Sequence, residues 1–329
     1  MQIEFSAKDK PQEWLKTIAQ QFGTEVADNA FEIPSSLGSG FMKQVYFFDG
    51  LTLTYLHFKF IQPLEFIRHS ITDAKLFPIM FYNQELSFEQ DIDKKKEMIG
   101  FHTSNGIFMP SPQIESHWNI PANTDVFQIT LTIEKDWYRN AFASSDDNYL
   151  KQLLESNKPF YLFESLQSSM KNLITDIHQL INSDDKLQQF KLHQKAIELF
   201  NSFLKQLENR NTNENISAIN PIDVQKTFIV RKTILENITS LPSLKQLAQD
   251  AGMSISKLQK CFQQVFGKSI SQYALSEKMQ LAKQMLDTKK YTISEIGYDL
   301  GYANLSHFSK AFHKEFGINP KAYLSSLSN

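Results

Sequence analysis

The chain has 329 residues, 27 of them Phe, with 34 Lys and Arg against 36 Asp and Glu and a formal charge of −2. That is enough chain for two domains with cores of their own, and too aromatic for a disordered tail. A single cysteine, Cys261, excludes an internal disulfide and a cysteine-built zinc site, and fits a reducing cytosol.

The opening "MQIEFSAKDK" has no basic start followed by an apolar run. No apolar run approaches the ~18 residues of a membrane span. The expected compartment is therefore cytoplasmic, with no membrane partner. Residues 1 to about 30 read as a short helical lead-in, with Trp14, Leu15, Ile18 and Phe22 at helical spacing. From Phe31 to about Glu134 the pattern is strand-like. "QVYFFDGLTLTYLHFKF" places Asp49-Gly50 between two apolar runs, a strong hairpin signal. "EMIGFHTSNGIFMPS" repeats the device with Asn105-Gly106, and "SHWNIPANTDVFQITLTIE" turns through Pro121 to Thr124. Such hairpins predict an antiparallel sandwich or small barrel.

Beyond Lys135 the spacing turns helical. "FESLQSSMKNLITDIHQLI" and "LQQFKLHQKAIELFNSFLKQLE" carry apolar residues three and four apart. Phe190, Ile197, Phe200 and Leu204 form a stripe on the second, wide enough to be ordinary core and also a candidate dimerisation face. "ENRNTNENISAINPID" reads as an exposed linker. The domains expected are 1–135, β-rich with a short N-terminal helix, then 136–212, a helical dimerisation or connector region, a linker at 213–222, and 223–329. From Asp223 onward fourteen Lys and Arg stand against eight Asp and Glu, a charge of +6 that leaves −8 for the remainder. Such asymmetry suggests that the basic part meets a polyanion.

The basic part repeats itself. Leu244, Leu247, Asp250 and Gly252 match Ile293, Ile296, Asp299 and Gly301 at an offset of 49, and Leu258, Phe262, Phe266 and Gly267 match Phe308, Phe312, Phe316 and Gly317 at 50. Each copy opens with a capping box, Ser243 to Gln246 and Thr292 to Glu295, then runs helix, glycine turn and second helix. That is a helix-turn-helix, whose second helix is built to enter the DNA major groove. Between the copies "SISQYALSEKMQLAKQMLDTKKYT" reads as one long amphipathic helix, with Lys278, Lys283, Lys289 and Lys290 outside.

On these residues, and most specifically on "ISEIGYDLGYANLSHFSKAFHKEFGINPKAY", the last hundred residues resemble the DNA-binding domain of the AraC/XylS family of bacterial transcription regulators. The resemblance covers about a third of the chain. Helical geometry puts Ser256, Gln259, Lys260 and Gln263 on one outward face, and the family's base-contacting positions fall on Ser256, Gln259 and Lys260. Gln can pair with adenine and Lys with guanine. The matching set in the second copy is Leu305, Ser306, Ser309 and Lys310, with Leu305 either meeting a thymine methyl or packing inward. Lys257, Lys268, His307 and Lys314 are the phosphate candidates. Arg231 is the one arginine of this region, which departs from the family habit of an Arg in a reading helix.

The fold class expected is α+β: an N-terminal antiparallel β domain, a cupin-like barrel or sandwich with helices, serving as sensor, and a C-terminal all-α double helix-turn-helix. The family layout implies a small-molecule effector, promoter DNA as partner, RNA polymerase if the protein activates, and a homodimer. Tyr55, His57, Phe58, Arg68, His69 and Phe81 are the effector-pocket candidates. His57, His69, His102 and His117 lack the His-x-His-x-Glu spacing of a cupin metal site, so neither metal nor cofactor is expected. No phosphate loop or Gly-x-Ser-x-Gly elbow is present, and Cys261 lies on an inward helix face, so no enzyme is expected. Two rival readings stand beside this one: a cupin-type enzyme fused to a DNA-targeting module, and a ligand-independent DNA binder.

Overall fold

The alternation in "LTLTYLHFKF" builds an interior strand of a sheet that is covered on both faces. The computed structural model describes residues 1–6, 8, 10–48, 50–73, 75–83, 89–91, 105–142, 149–208, 210 and 220–327. They divide into two compact units, Met1–Gln225 and Lys226–Asn329.

The first unit runs β1 (Gln2–Ser6), α1 (Pro11–Gln21), β2 (Ala30–Glu32), β3 (Gly38–Phe48), β4 (Leu51–Phe60), β5 (Leu64–His69), β6 (Leu76–Asn83), β7 (Glu89–Asp91), β8 (Asn105–Pro110), β9 (Ser116–Ile120) and β10 (Asp125–Glu134). It continues with α2 (Lys135–Ala141), α3 (Tyr149–Glu155), β11 (Tyr161–Ser165), α4 (Ser168–Ile181) and α5 (Gln188–Leu207). The strands form a four-stranded sheet, β1-β5-β9-β7, and a seven-stranded one, β11-β8-β6-β10-β4-β3-β2. Pairing is antiparallel throughout except between β1 and β5.

Period-two geometry sorts the large sheet's side chains. Leu53 and Tyr55 of β4, Ile79 and Phe81 of β6, and Ile129 and Leu131 of β10 share one buried core with Ile174 and Ile177 of α4 and Leu199 and Phe203 of α5. The alternate positions, Thr54, Leu56, Met80, Gln128 and Thr130, face a cavity closed on its other side by Phe5, Phe66, Arg68 and Trp118 of the small sheet and by Trp14 of α1. The threonines that a two-layer reading would place in water are therefore interior.

Several expectations change here. The β3–β4 hairpin forms, with Asp49 itself outside the described residues. Asn105-Gly106 is no turn: both residues lie in β8, where Gly106 pairs with Tyr82 on one side and Ser165 on the other. A Cβ on Gly106 would lie 2.7 Å from the Phe163 ring, so this glycine permits close approach. The turn at Pro121 to Thr124 exists, with Asn123 at φ 59°, but it carries the chain from the small sheet to the large one and pairs no hairpin. The lead-in holds β1 before its helix. "FESLQSSM" opens as strand β11, and α4 begins only at Ser168.

The helices after Lys135 also belong to the sheet's core. Arg210, beyond the end of α5, donates from Nε to Glu164 Oε1 at 2.6 Å and from Nη2 to the Phe163 carbonyl at 2.7 Å, both on β11. In the stripe of α5, Phe200 is buried in that core and Leu204 packs against it, whereas Phe190 is 70% exposed and Ile197 36%. Phe200 therefore cannot meet a partner. The expected linker lies outside the described residues from 213 to 219, and Pro221 already opens a helix.

The second unit follows from α6 (Pro221–Glu236), which begins in the first, through α7 (Leu244–Asp250), α8 (Ile255–Phe266), α9 (Ile270–Asp287), α10 (Ile293–Asp299) and α11 (Leu305–Phe316) to α12 (Pro320–Ser326). No helix among the described residues is long and apolar enough to cross a membrane.

Candidate nucleic-acid interface

Each helix pair of the second unit is set by its caps. Ser243 accepts from the Gln246 amide at α7, and Thr292 does so from Glu295 at α10. Only α10 completes the capping box, because the Gln246 side chain turns instead to Asp250 Oδ1 at 2.8 Å. A complete box that the sequence reading missed starts α9, between Ser269 and Gln272. Between the paired helices Gly252 (φ 57°) and Gly301 (φ 81°) take the left-handed conformation that the turns require. The second helices then start on Ser254, which accepts from the Lys257 amide, and Asn304, which accepts from the Ser306 amide at 2.8 Å.

The inward faces hold. Leu258, Phe262, Val265 and Phe266 of α8 are buried, with the Phe266 ring 5.1 Å from Phe228 of α6 and 5.4 Å from Tyr273 of α9. Phe308 and Phe312 of α11 are fully buried with Ile296, Leu286 and Met279. Arg231 is structural: it is buried, and its Nε donates to Tyr273 Oη at 2.6 Å.

Of the expected base readers, Ser256, Gln259 and Lys260 on α8 are exposed, as are Ser306 and Lys310 on α11. Ser309 is half-buried. Leu305 resolves towards packing: an added Cβ on Gly297 would lie 2.6 Å from Leu305 Cδ2, so this side chain rests on the glycine of α10. Asn304, exposed at the start of α11, is a cap that the sequence reading left out. Its place as cap just before the reading helix is the signal that would have found it.

The phosphate candidates divide too. Lys257, His307 and Lys314 are exposed. Lys268 is committed elsewhere: its Nζ donates to Ser276 Oγ at 2.9 Å, and Ser276 in turn donates to Glu315 of α11. The lysines of α9 are likewise not free outside. Lys278 Nζ stands 5.6 Å from the Tyr302 ring centroid, and Lys283 5.4 Å from Phe316 and 5.5 Å from Tyr323. Desolvation lowers the Lys278 pKa from its ordinary value. Beyond the end of α9, Lys289 and Lys290 are exposed as expected, and Lys289 Nζ donates to the Leu327 carbonyl at 2.6 Å. These contacts fasten α9 to the second helix pair and its closing helix.

Two helix-turn-helix pairs on one shared helix, each with an exposed polar outer face, complete the geometry. A helix-turn-helix domain model matches residues 247–326. Residues 247–326 form an AraC-type helix-turn-helix domain. The chain is similar to the Msm operon regulatory protein of Streptococcus mutans serotype c, 27% identical over 57% of this chain and 66% of that protein. It is also similar to the xylose operon regulatory protein of Escherichia coli K12, 28% identical over 36% of this chain and 29% of that protein. The matched stretch is thus less than two thirds of either relative. A crystal structure of a transcriptional regulator from Chromobacterium violaceum, described as containing an AraC-type DNA-binding domain, is 26% identical and covers 32% of this chain and 93% of that one, with a TM-score of 0.30.

Outside the AraC-type domain the effector candidates are scattered. Phe58 and Arg68 line the cavity between the sheets. Tyr55, His57 and Phe81 occupy the alternate positions of their strands and face the helical layer: Tyr55 Oη bonds His178 Nδ1 at 2.8 Å, and the Phe81 ring meets Phe203. His57 pairs with Asp125 at 2.6 Å. His69 lies on the outer face of the small sheet between Glu4 and Glu115. All four sit at the opposite strand parity to the residues that line the cavity. The cavity residues that were missed, Gln128 and Thr130 among them, were marked by the Gln-Ile-Thr-Leu-Thr alternation of β10. His102 lies outside the described residues. Among the described residues, no group of three or more His, Cys, Asp or Glu is placed to hold a metal ion.

Proposed function

We propose that the protein is a sequence-specific DNA-binding transcription regulator that responds to a small-molecule effector bound in its N-terminal unit. The observation that carries the reading is the pair of capped second helices, α8 and α11, each buried along its aromatic side and exposed along its polar one. Two reading helices on one rigid domain suit consecutive major grooves, which recur every ~34 Å along one face of B-DNA. In this reading Gln259 and Lys260 read base edges, with Ser256 beside them. Helix α11, which offers Ser306, Ser309 and Lys310, contributes more through phosphates and shape. Promoter DNA is the partner, and an effector acts by having different affinities for the DNA-competent and other states, so ligand and DNA affinities change reciprocally. No catalytic role is assigned. A homodimer through the exposed Phe190 and Ile197 of α5 belongs to the same reading.

The test is selection of a preferred site from random duplexes, followed by titration of that site and of a scrambled one. Gln259→Ala and Lys260→Ala should each weaken the preferred site by about 1–3 kcal/mol and relax preference at one position. Equal losses on both duplexes would make these residues phosphate contacts, and failure to select any site would overturn the reading.

A further inference from the structure

The cavity between the two sheets, open on one side, has a volume of about 110 Å³ and is walled mainly by apolar side chains. One charged group stands in that wall. Arg68 is 2% exposed, and among the described residues no carboxylate pairs with it. Its Nη2 makes every hydrogen bond it has, to the Ser111 carbonyl at 3.3 Å, the Ile114 carbonyl at 3.1 Å and Ser116 Oγ at 3.1 Å. Nε and Nη1 are buried without a partner. Three neutral acceptors could be served by a neutral donor, so tying the 111–116 segment does not account for a charge. A guanidinium held out of water without an anion is costly, and burial drives its pKa down to about 10.

We propose that this cavity binds a small monocarboxylic acid, with the carboxylate against the Arg68 guanidinium and the apolar body among Phe58, Phe66, Met80 and Trp118. The inference deepens the effector reading and rests on it for its regulatory meaning. Charge-assisted bonds to a carboxylate are the strong ones, and a carboxylate in this space would supply the counter-charge that the guanidinium lacks. The volume limits the body: an apolar cavity of ~150 Å³ holds one benzene ring, so a few carbons or one ring is the scale. Thr54, Gln128 and Thr130 line the same space and suit a polar substituent on that body.

The experiment is calorimetric titration of the full chain at neutral pH with pentanoate, benzoate, pentan-1-ol and pentylamine. At least one acid should saturate at one per chain, with the alcohol and the amine about tenfold weaker or more. Preference for pentanoate identifies a straight acyl body, and preference for benzoate an aromatic one. Arg68→Met should erase the preference for the acid over the alcohol. Because that variant removes three hydrogen bonds and can fail to fold, Leu56→Phe is the second arm: it narrows the cavity, leaves Arg68 intact, and should weaken both acids about tenfold or more. Absence of saturable acid binding to the folded protein, equal binding of alcohol and acid, or unchanged binding in Leu56→Phe would each overturn the site. Acid binding that leaves DNA affinity unchanged would keep the site and remove the effector role. DNA selection without acid binding would do the reverse.

Discussion

Lys268 and Lys314 carry the same charge in the same domain and are held differently. Lys314 is exposed on α11, whereas Lys268 is engaged by Ser276 and Glu315. Lys314→Ala should therefore reduce the slope of log binding constant against log salt by about one, while Lys268→Ala leaves the slope unchanged and costs thermal stability. His117 gives a second residue-scale test. Desolvation works to lower its pKa, but Glu115 and Glu65, each 3.0 Å away, outweigh it and raise the value above the ordinary 6.5. His69 is raised in the same way by Glu4 and Glu115. The folded state then binds more protons than the unfolded one above pH ~6.5, so this contribution is full below that pH and is lost as pH rises through the raised values. The three tryptophans, Trp14, Trp118 and Trp137, all lie in the first unit. Their fluorescence should report a denaturation midpoint that falls as pH rises from about 6.5, with a flatter profile in His117→Gln. At this scale the polar outer face of α8 was legible, because helical period and exposure agree at Gln259 and Lys260. Lys268 was not, because nothing local announces a partner 39 residues from Ser276 at Glu315.

The element that tests the second helix pair is α11. Phe312 is fully buried between α9, α10 and α12, so Phe312→Ala should destabilise the domain by about 3–5 kcal/mol in thermal or denaturant unfolding. Helices of this domain could be read from the sequence because their determinants are local: a cap hydroxyl, a left-handed glycine, a 3.6-residue period. Strands β1 and β11 could not. β1 is a strand because Gln2 to Ser6 pair with Glu65 to His69, and β11 because Tyr161 to Ser165 pair with Gly106 to Pro110. Such pairings are decided by distant chain, and the same distance made Asn105-Gly106 look like a turn. The α5 stripe left core and dimer face both open for a related reason: a broad apolar face does not say which edge meets its own sheet and which meets solvent.

For the whole molecule, association is the measurable property. Phe190→Asp combined with Ile197→Asp should leave sedimentation at the monomer mass, since both side chains reach solvent and neither supports the core. Phe200→Asp should instead unfold the first unit, because Phe200 lies inside it. The division of labour along the large sheet has a further outcome. Since odd and even positions of β4, β6 and β10 face separate compartments, Leu56, Met80, Gln128 and Thr130 can change chemistry while Tyr55, Ile79, Phe81, Ile129 and Leu131 keep the helical layer in place. A strand built this way tolerates change on one side only: the cavity lining can vary while the helical layer keeps its packing, so a directed library restricted to the even positions should yield an unusually high fraction of folded clones.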